Sequence, residues 1–356
     1  MALALSHGGT TIYTANAPSD EVVIGTTDGV VIMKRDGGGW TVTDRSLPGL
    51  HIHALIHEAE SGSWFAGVNK GGIHASTDGA RTWERRDNGL TETDVYSLSS
   101  VKANGHVRLF AGTEPAKMFV SEDLGQTWTE KPALAAHKND NWMFPAPPHI
   151  AHLKHINFAP GDPNTIFGSI EVGALLKSTD GGESWTEIPG MHPDVHRTVI
   201  DPNNPGRIYV TGAGGLVRTV DGGVEWDNLL DLESEPGGYP DQLVFKPSDP
   251  STMVIAAAQK TPRNWKDDTA HSRISRSRDG GASWEVLSGG LQDRFPHAVE
   301  AMCLEESGTS VQLFAATTGG TVLWSEDGGD NWSVAVSGLS PISKGGHYLG
   351  LVGQPA

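Results

Sequence analysis

The chain has 356 residues, 43 acidic and 26 basic, for a formal net charge of −17. That balance excludes a nucleic-acid binder, which needs a basic face, and argues against docking to an anionic membrane. The lone cysteine, Cys303, excludes an internal disulfide framework and a cysteine-cluster metal site.

No apolar run approaches the roughly 20 residues of a membrane span. The start, Met1-Ala-Leu-Ala-Leu-Ser-His, has no basic region before its short apolar stretch, so the sequence reads as a cytoplasmic chain. It carries 45 glycines and 15 histidines. The glycines imply many tight turns, and the histidines need a location.

One pattern organises the whole length. A degenerate first copy reads Arg35-Asp36-Gly37-Gly38-Gly39-Trp40. The fuller form, Ser/Thr-x-Asp-x-Gly-x-x-Trp, follows at Ser76–Trp83, Ser121–Trp128, Ser178–Trp185, Thr219–Trp226, Ser277–Trp284 and Ser325–Trp332. Successive motif aspartates lie 41 to 58 residues apart, and four strands in roughly 40–50 residues is the size of one propeller blade. β-branched apolar runs precede the motifs, as in Arg207-Ile-Tyr-Val-Thr-Gly212, and helical periodicity is nearly absent. The expectation is a single all-β domain over residues 1–356: a seven-bladed β-propeller of four-stranded antiparallel blades. Ring closure requires the two termini to share a blade. The C-terminal strand His347-Tyr-Leu-Gly-Leu-Val-Gly353 is expected beside Glu21–Gly25, with residues 1–18 as the alternative.

Taken in chain order, the inner strands begin near His51-Ile-His53, Asp94-Val-Tyr96, His152-Leu-Lys154-His155, Asp194-Val-His196-Arg197, Tyr239-Pro-Asp241-Gln242, His297-Ala-Val-Glu300 and Gly346-His347-Tyr348. Strand starts of this kind open onto one mouth of the central channel, with the repeat motifs on the opposite face. Alignment places His53, Tyr96, His155, Arg197, Gln242, Glu300 and Tyr348 at equivalent ring positions.

So many ionisable groups at one mouth are costly unless they have a task, and a pocket of convergent polar groups is the default site. Three chemistries fit. The first is a transition-metal ion (Zn, Cu, Mn, Fe or Ni) held by three or four of His53, His149, His152, His155, His196, His297 and His347. The second is metal-free general acid–base catalysis. The third is binding of an anionic or aromatic ligand. Glu171 or Glu300 would carry protons, Arg197 with Lys154 would hold substrate charge, and Tyr348 completes the catalytic set. Tyr96, Trp142, Tyr239, Gln242 and Lys344 would contact substrate. Trp142 lies in a long aromatic and proline-rich connection that is either a wall or a packed crossover. Lys260, Arg263 and Lys266 would add a basic rim that steers anions.

The repeat motif resembles the Asp-box, or BNR, repeat of sialidase-like propellers. In that family the aspartate bonds the backbone of the outer turn and the tryptophan packs between blades. Sialidases have six blades, an arginine triad and a tyrosine–glutamate pair. This chain has seven motifs and no Phe-Arg-Ile-Pro segment, so the resemblance does not imply sialidase activity. The sequence is also similar to the seven-bladed photosystem assembly factors, which bind polypeptides, and to bacterial BNR-repeat glycosyl hydrolases of unclear activity. The main expectation is a hydrolase or lyase acting on a small polar or anionic molecule at the histidine-lined mouth. A non-enzymatic ligand- or protein-binding propeller and a glycoside hydrolase with paired carboxylates are the alternatives. Glu171, Asp194, Asp241 and Glu300 would supply that pair.

Overall fold

A computed structural model describes residues 2–234, 236, 238–259, 261–262 and 269–343. Seven sheets, taken in chain order, form the seven blades of a β-propeller. Among the described residues there is one 3-10 turn, Ala135–His137, and no α-helix. No helix there is long and apolar enough to cross a membrane.

Blade spacing follows from the motifs because each one is a self-contained turn. Asp78 accepts hydrogen bonds from the Thr82 amide at 2.9 Å and the Ser76 hydroxyl at 2.8 Å, and Ser76 Oγ accepts the Ala80 amide at 3.0 Å. The same set recurs around Asp123, Asp180, Asp279 and Asp327. Turn amides that would compete for strand partners are thereby satisfied locally. The motif tryptophans then pack into the gap towards the preceding blade. Trp128 joins Phe65, Ile73 and Ala75 of blade two, and Trp332 joins Val244 and Val254 of blade six. Burying a side chain of this size stabilises each junction by roughly 1.5–3 kcal/mol.

Closure is made by the N-terminus. Strand Ala2–Leu5 runs parallel to Glu21–Thr26 and takes the innermost place of blade one. It is the alternative partner, residues 1–18, that occupies the position expected for the C-terminal strand; that segment lies outside the described residues. The chain then turns through residues 6–11. It descends as Ile12–Ala15, parallel to Val299–Ser307 at the inner edge of blade seven. Leu3, Trp40 and Met33 of blade one meet Cys303, Phe314 and Trp324 of blade seven in one apolar cluster.

The turn between these two strands plugs the central channel. Gly8 donates its amide to His53 O at 2.9 Å, and its carbonyl accepts from Leu98 at 3.1 Å. A Cβ on Gly8 would lie 2.0 Å from Tyr96 O, and one on Gly9 2.1 Å from Leu55 O. Only glycine lets the plug backbone approach the inner strands this closely.

Candidate functional site at the channel mouth

Each inner strand from blade two to blade seven carries a β-bulge near its start. The extra residues are His53, Tyr96, Lys154, His196, Asp241 and Glu300. A bulge inserts one residue and re-aims its side chain. Here the repeated bulge builds a ring at the mouth. The aligned ring of the sequence is therefore shifted by one residue in three blades. Lys154 replaces His155, His196 replaces Arg197 and Asp241 replaces Gln242. Alternation cannot be counted through an inserted residue. The expected Tyr348 position lies outside the described residues, as do Lys344, His347, Lys260, Arg263 and Lys266.

Lys154 is the hub. Its Nζ donates to Glu171 Oε1 at 3.1 Å and to Asp241 Oδ1 at 2.8 Å, and all three side chains are buried. Glu171 ends the second strand of blade four, directly opposite His152 in register. Its other oxygen meets His152 Nε2 at 2.5 Å. Burial opposes charging of His152, but the Glu171 and Glu114 carboxylates outweigh it and raise its pKa. Tyr96 stacks on His152 at 3.8 Å between centroids and tilts against His53 at 4.5 Å. Asp94 stands 3.7 Å from His53. Its pKa is raised to about 6 by burial and by Glu114.

On the far side, His196 donates from Nδ1 to Pro240 O at 2.8 Å and turns Nε2 towards Asp194 at 3.4 Å. Burial would raise the Asp194 pKa, but His196 and Lys154 pull it below the usual carboxylate range. Tyr239 packs its ring 4.7 Å from His196. Gln242 donates to Glu300 O at 2.8 Å, which ties blade six to blade seven.

Several expected site residues stand elsewhere. His149 is an exposed loop residue with positive φ, and its Nδ1 lies 3.0 Å from Phe144 O. Trp142 is 4 % exposed and belongs to the apolar cluster of blades three and four, so the long connection is a packed crossover. His297 is half-buried before the last inner strand, over Gly319. His155 and Arg197 lie below the ring, against the plug. No three of the expected histidines come together among the described residues. The groups that do converge contain one histidine and two carboxylates each: His7, Asp241 and Glu300, and Glu171, Asp194 and His196. Within each group the ligand atoms lie within 4.8 Å of one another.

His7 is the site residue that sequence reasoning missed. It sits at the tip of the plug, 3.0 Å from Glu300 O and 3.3 Å from Asp241 Oδ2. The available signal was Ser6-His7-Gly8-Gly9 near the terminus, a glycine pair of the kind that marks close backbone approach.

The fold and the mouth define a seven-bladed propeller with a plugged channel and a buried carboxylate–lysine–histidine network at one end. A family model described as Sortilin-Vps10, "Sortilin, neurotensin receptor 3", matches residues 173–301. A xyloglucanase from Paenibacillus sp. is 26% identical over 291 residues, covering 69% of this chain and 27% of that protein. The chain thus spans about a quarter of the length of the xyloglucanases it matches. The photosystem II assembly lipoprotein Ycf48 of Synechococcus sp. (strain CC9902) is 25% identical over 269 residues, covering 73% of this chain and 68% of that protein. Among solved structures, the GH74 xyloglucanase from Xanthomonas campestris superposes with a TM-score of 0.70 at 16% identity, over 94% of this chain and 55% of that one. YCF48 from Cyanidioschyzon merolae gives 0.57 at 15% identity, over 91% and 94%. These likenesses establish the propeller fold.

Proposed function

We propose that the protein is a glycoside hydrolase acting on a β-glucan of the xyloglucan type. The carrying observation is the pair Glu171 and Asp241, held on either side of the Lys154 ammonium. Both carboxylates contact one ammonium, at 3.1 Å and 2.8 Å, and glycosidases work with such a pair of carboxyl groups facing the scissile bond. One carboxyl group would protonate the departing oxygen while the other attacks the anomeric carbon or activates the water that does. Similarity to the Paenibacillus xyloglucanase supports this reading over the small-anion hydrolase or lyase.

The test is release of reducing ends from a panel of β-glucans that includes xyloglucan. Activity should vanish in Glu171→Gln and Asp241→Asn while the fold persists. A folded wild-type chain that releases none from any glucan overturns the proposal. A metal-assisted hydrolase would instead use Glu171, Asp194 and His196 as ligands. A stoichiometric transition metal lost in His196→Ala would favour it.

A second reading, a non-enzymatic binding propeller, is favoured by the match to the Ycf48 lipoprotein over 68% of its length. Saturable binding of a polypeptide by the inactive chain would support it.

A further inference from the structure

Beneath the ring, on the other side of the plug tip, lies a cavity of about 220 Å³. Its walls are the plug and the inner strands of blades three, four and five, with Thr10, Thr11, Ser100, His155 and Arg197 among the lining residues. It is separate from the carboxylate pair and does not rest on the hydrolase reading.

Arg197 is the anomaly here. Three cationic side chains are buried among the described residues: Lys154, Arg197 and Arg276. Lys154 is paired with Glu171 and Asp241, and Arg276 with Glu285 and Asp330. Arg197 is 3 % exposed, and no carboxylate oxygen among the described residues lies within 4.0 Å of its guanidinium. Its Nη2 donates to the His7 carbonyl at 2.6 Å and its Nη1 to His155 Nε2 at 3.1 Å. Nε has no acceptor among the described residues. Both acceptors it does have are neutral. His155 is held uncharged by burial first and by Arg197, His7 and Lys154 next. Asp241 acts on Arg197 only from a distance, and its Oδ1 already serves Lys154.

A buried guanidinium with no carboxylate in contact is an incompletely compensated charge. The cavity beside it is polar, and the hydroxyls of Thr10, Thr11 and Ser100 make no hydrogen bond to another described residue that would prevent them from donating into it. Guanidinium with hydroxyl donors is the chemistry that recognises carboxylates and phosphates. We propose that this cavity binds one small oxyanion, a carboxylate or phosphate group, with Arg197 as its counter-ion and the plug hydroxyls as supporting donors. The anion would also tie the plug to blades three to five, since the same guanidinium holds the His7 carbonyl.

The experiment is calorimetric titration and thermal unfolding of the full chain with inorganic phosphate and, separately, with acetate, at ionic strength fixed by chloride. One site per chain is expected. Saturation should raise Tm, by about 2 °C for each tenfold gain in the folded-to-unfolded ratio of a chain this long. The stronger of the two arms identifies the anion class. Thr10→Asp puts a carboxylate into the cavity from an exposed plug position, and it should abolish binding of either anion, as should Arg197→Met. If Arg197→Met does not fold, Thr10→Asp alone decides. Absence of binding of both anions to the wild-type chain, or undiminished binding to Thr10→Asp, overturns the proposal.

Discussion

Lys154 of blade four donates to Asp241 of blade six at 2.8 Å, reaching past blade five across the mouth. The two residues are 87 apart in sequence, and each is the bulged residue of its inner strand. The bond makes the mouth a single electrostatic unit: the same ammonium also serves Glu171, which holds His152.

Removing that ammonium should therefore be severe. Lys154→Met leaves Glu171 and Asp241 buried without their shared cation. A loss of about 3–5 kcal/mol is expected, the usual penalty for breaking one side of a buried ion pair. Urea unfolding of the two proteins measures it. A loss below 1 kcal/mol would show that the carboxylates are compensated in another way.

The plug tolerates no side chain at its closest approach. Gly8→Val would drive a Cβ into Tyr96 O, and overpacking of this kind costs about 1–3 kcal/mol or more. The N-terminal segment should also become accessible to protease. Gly39→Ala, whose new Cβ meets nothing within 4 Å, is the control and should be near neutral. Equal behaviour of the two variants would argue against the plugged channel.

Asp94 should give stability a pH dependence of unusual sign. Its pKa is about 6 in the folded chain because of burial and Glu114, against roughly 3.9 unfolded. The folded state binds more protons between these values. The contribution of this group is thus full below pH 4 and declines as pH rises to 6. In Asp94→Asn the decline should flatten, as read from Tm at half-unit pH steps. An unchanged profile would remove Asp94 as its source.

The repeat aspartates should act in the opposite direction. Hydrogen bonds from the Ser184 hydroxyl and amide, and from Ser178, hold the Asp180 pKa below the usual range. Its contribution is present above the unfolded value near 3.9 and is lost as pH falls further. Asp180→Ala should lower Tm at pH 7, and the gap to the wild type should close as pH approaches 2. A gap that stays constant with pH would mean that the carboxylate charge is irrelevant to the turn.

Blade number and blade architecture were legible in the sequence because they depend on local interactions. The Asp180 turn is complete within seven residues, Ser178 to Ser184, so its residues recur as a readable pattern. Glu171 was legible for a similar reason, since it ends a strand recognisable from its own apolar run and the glycine after it. The ring itself was not. A bulge adds one residue without any distinctive side chain, and it moved Lys154, His196 and Asp241 into places assigned to their neighbours.

By itself, then, the sequence determined a seven-bladed all-β ring with a polar mouth, since hydrogen-bonded turns and β-branched runs act over a few residues. Only the tertiary structure decided what the mouth contains. His7 meets Glu300 O across 293 residues, and the strand Ile12–Ala15 pairs with Val299–Ser307. Such contacts form only once the ring has closed, because the partner groups belong to opposite ends of the chain. The plug fills the channel, Lys154 compensates its carboxylates, and Arg197 is left without one through that closure.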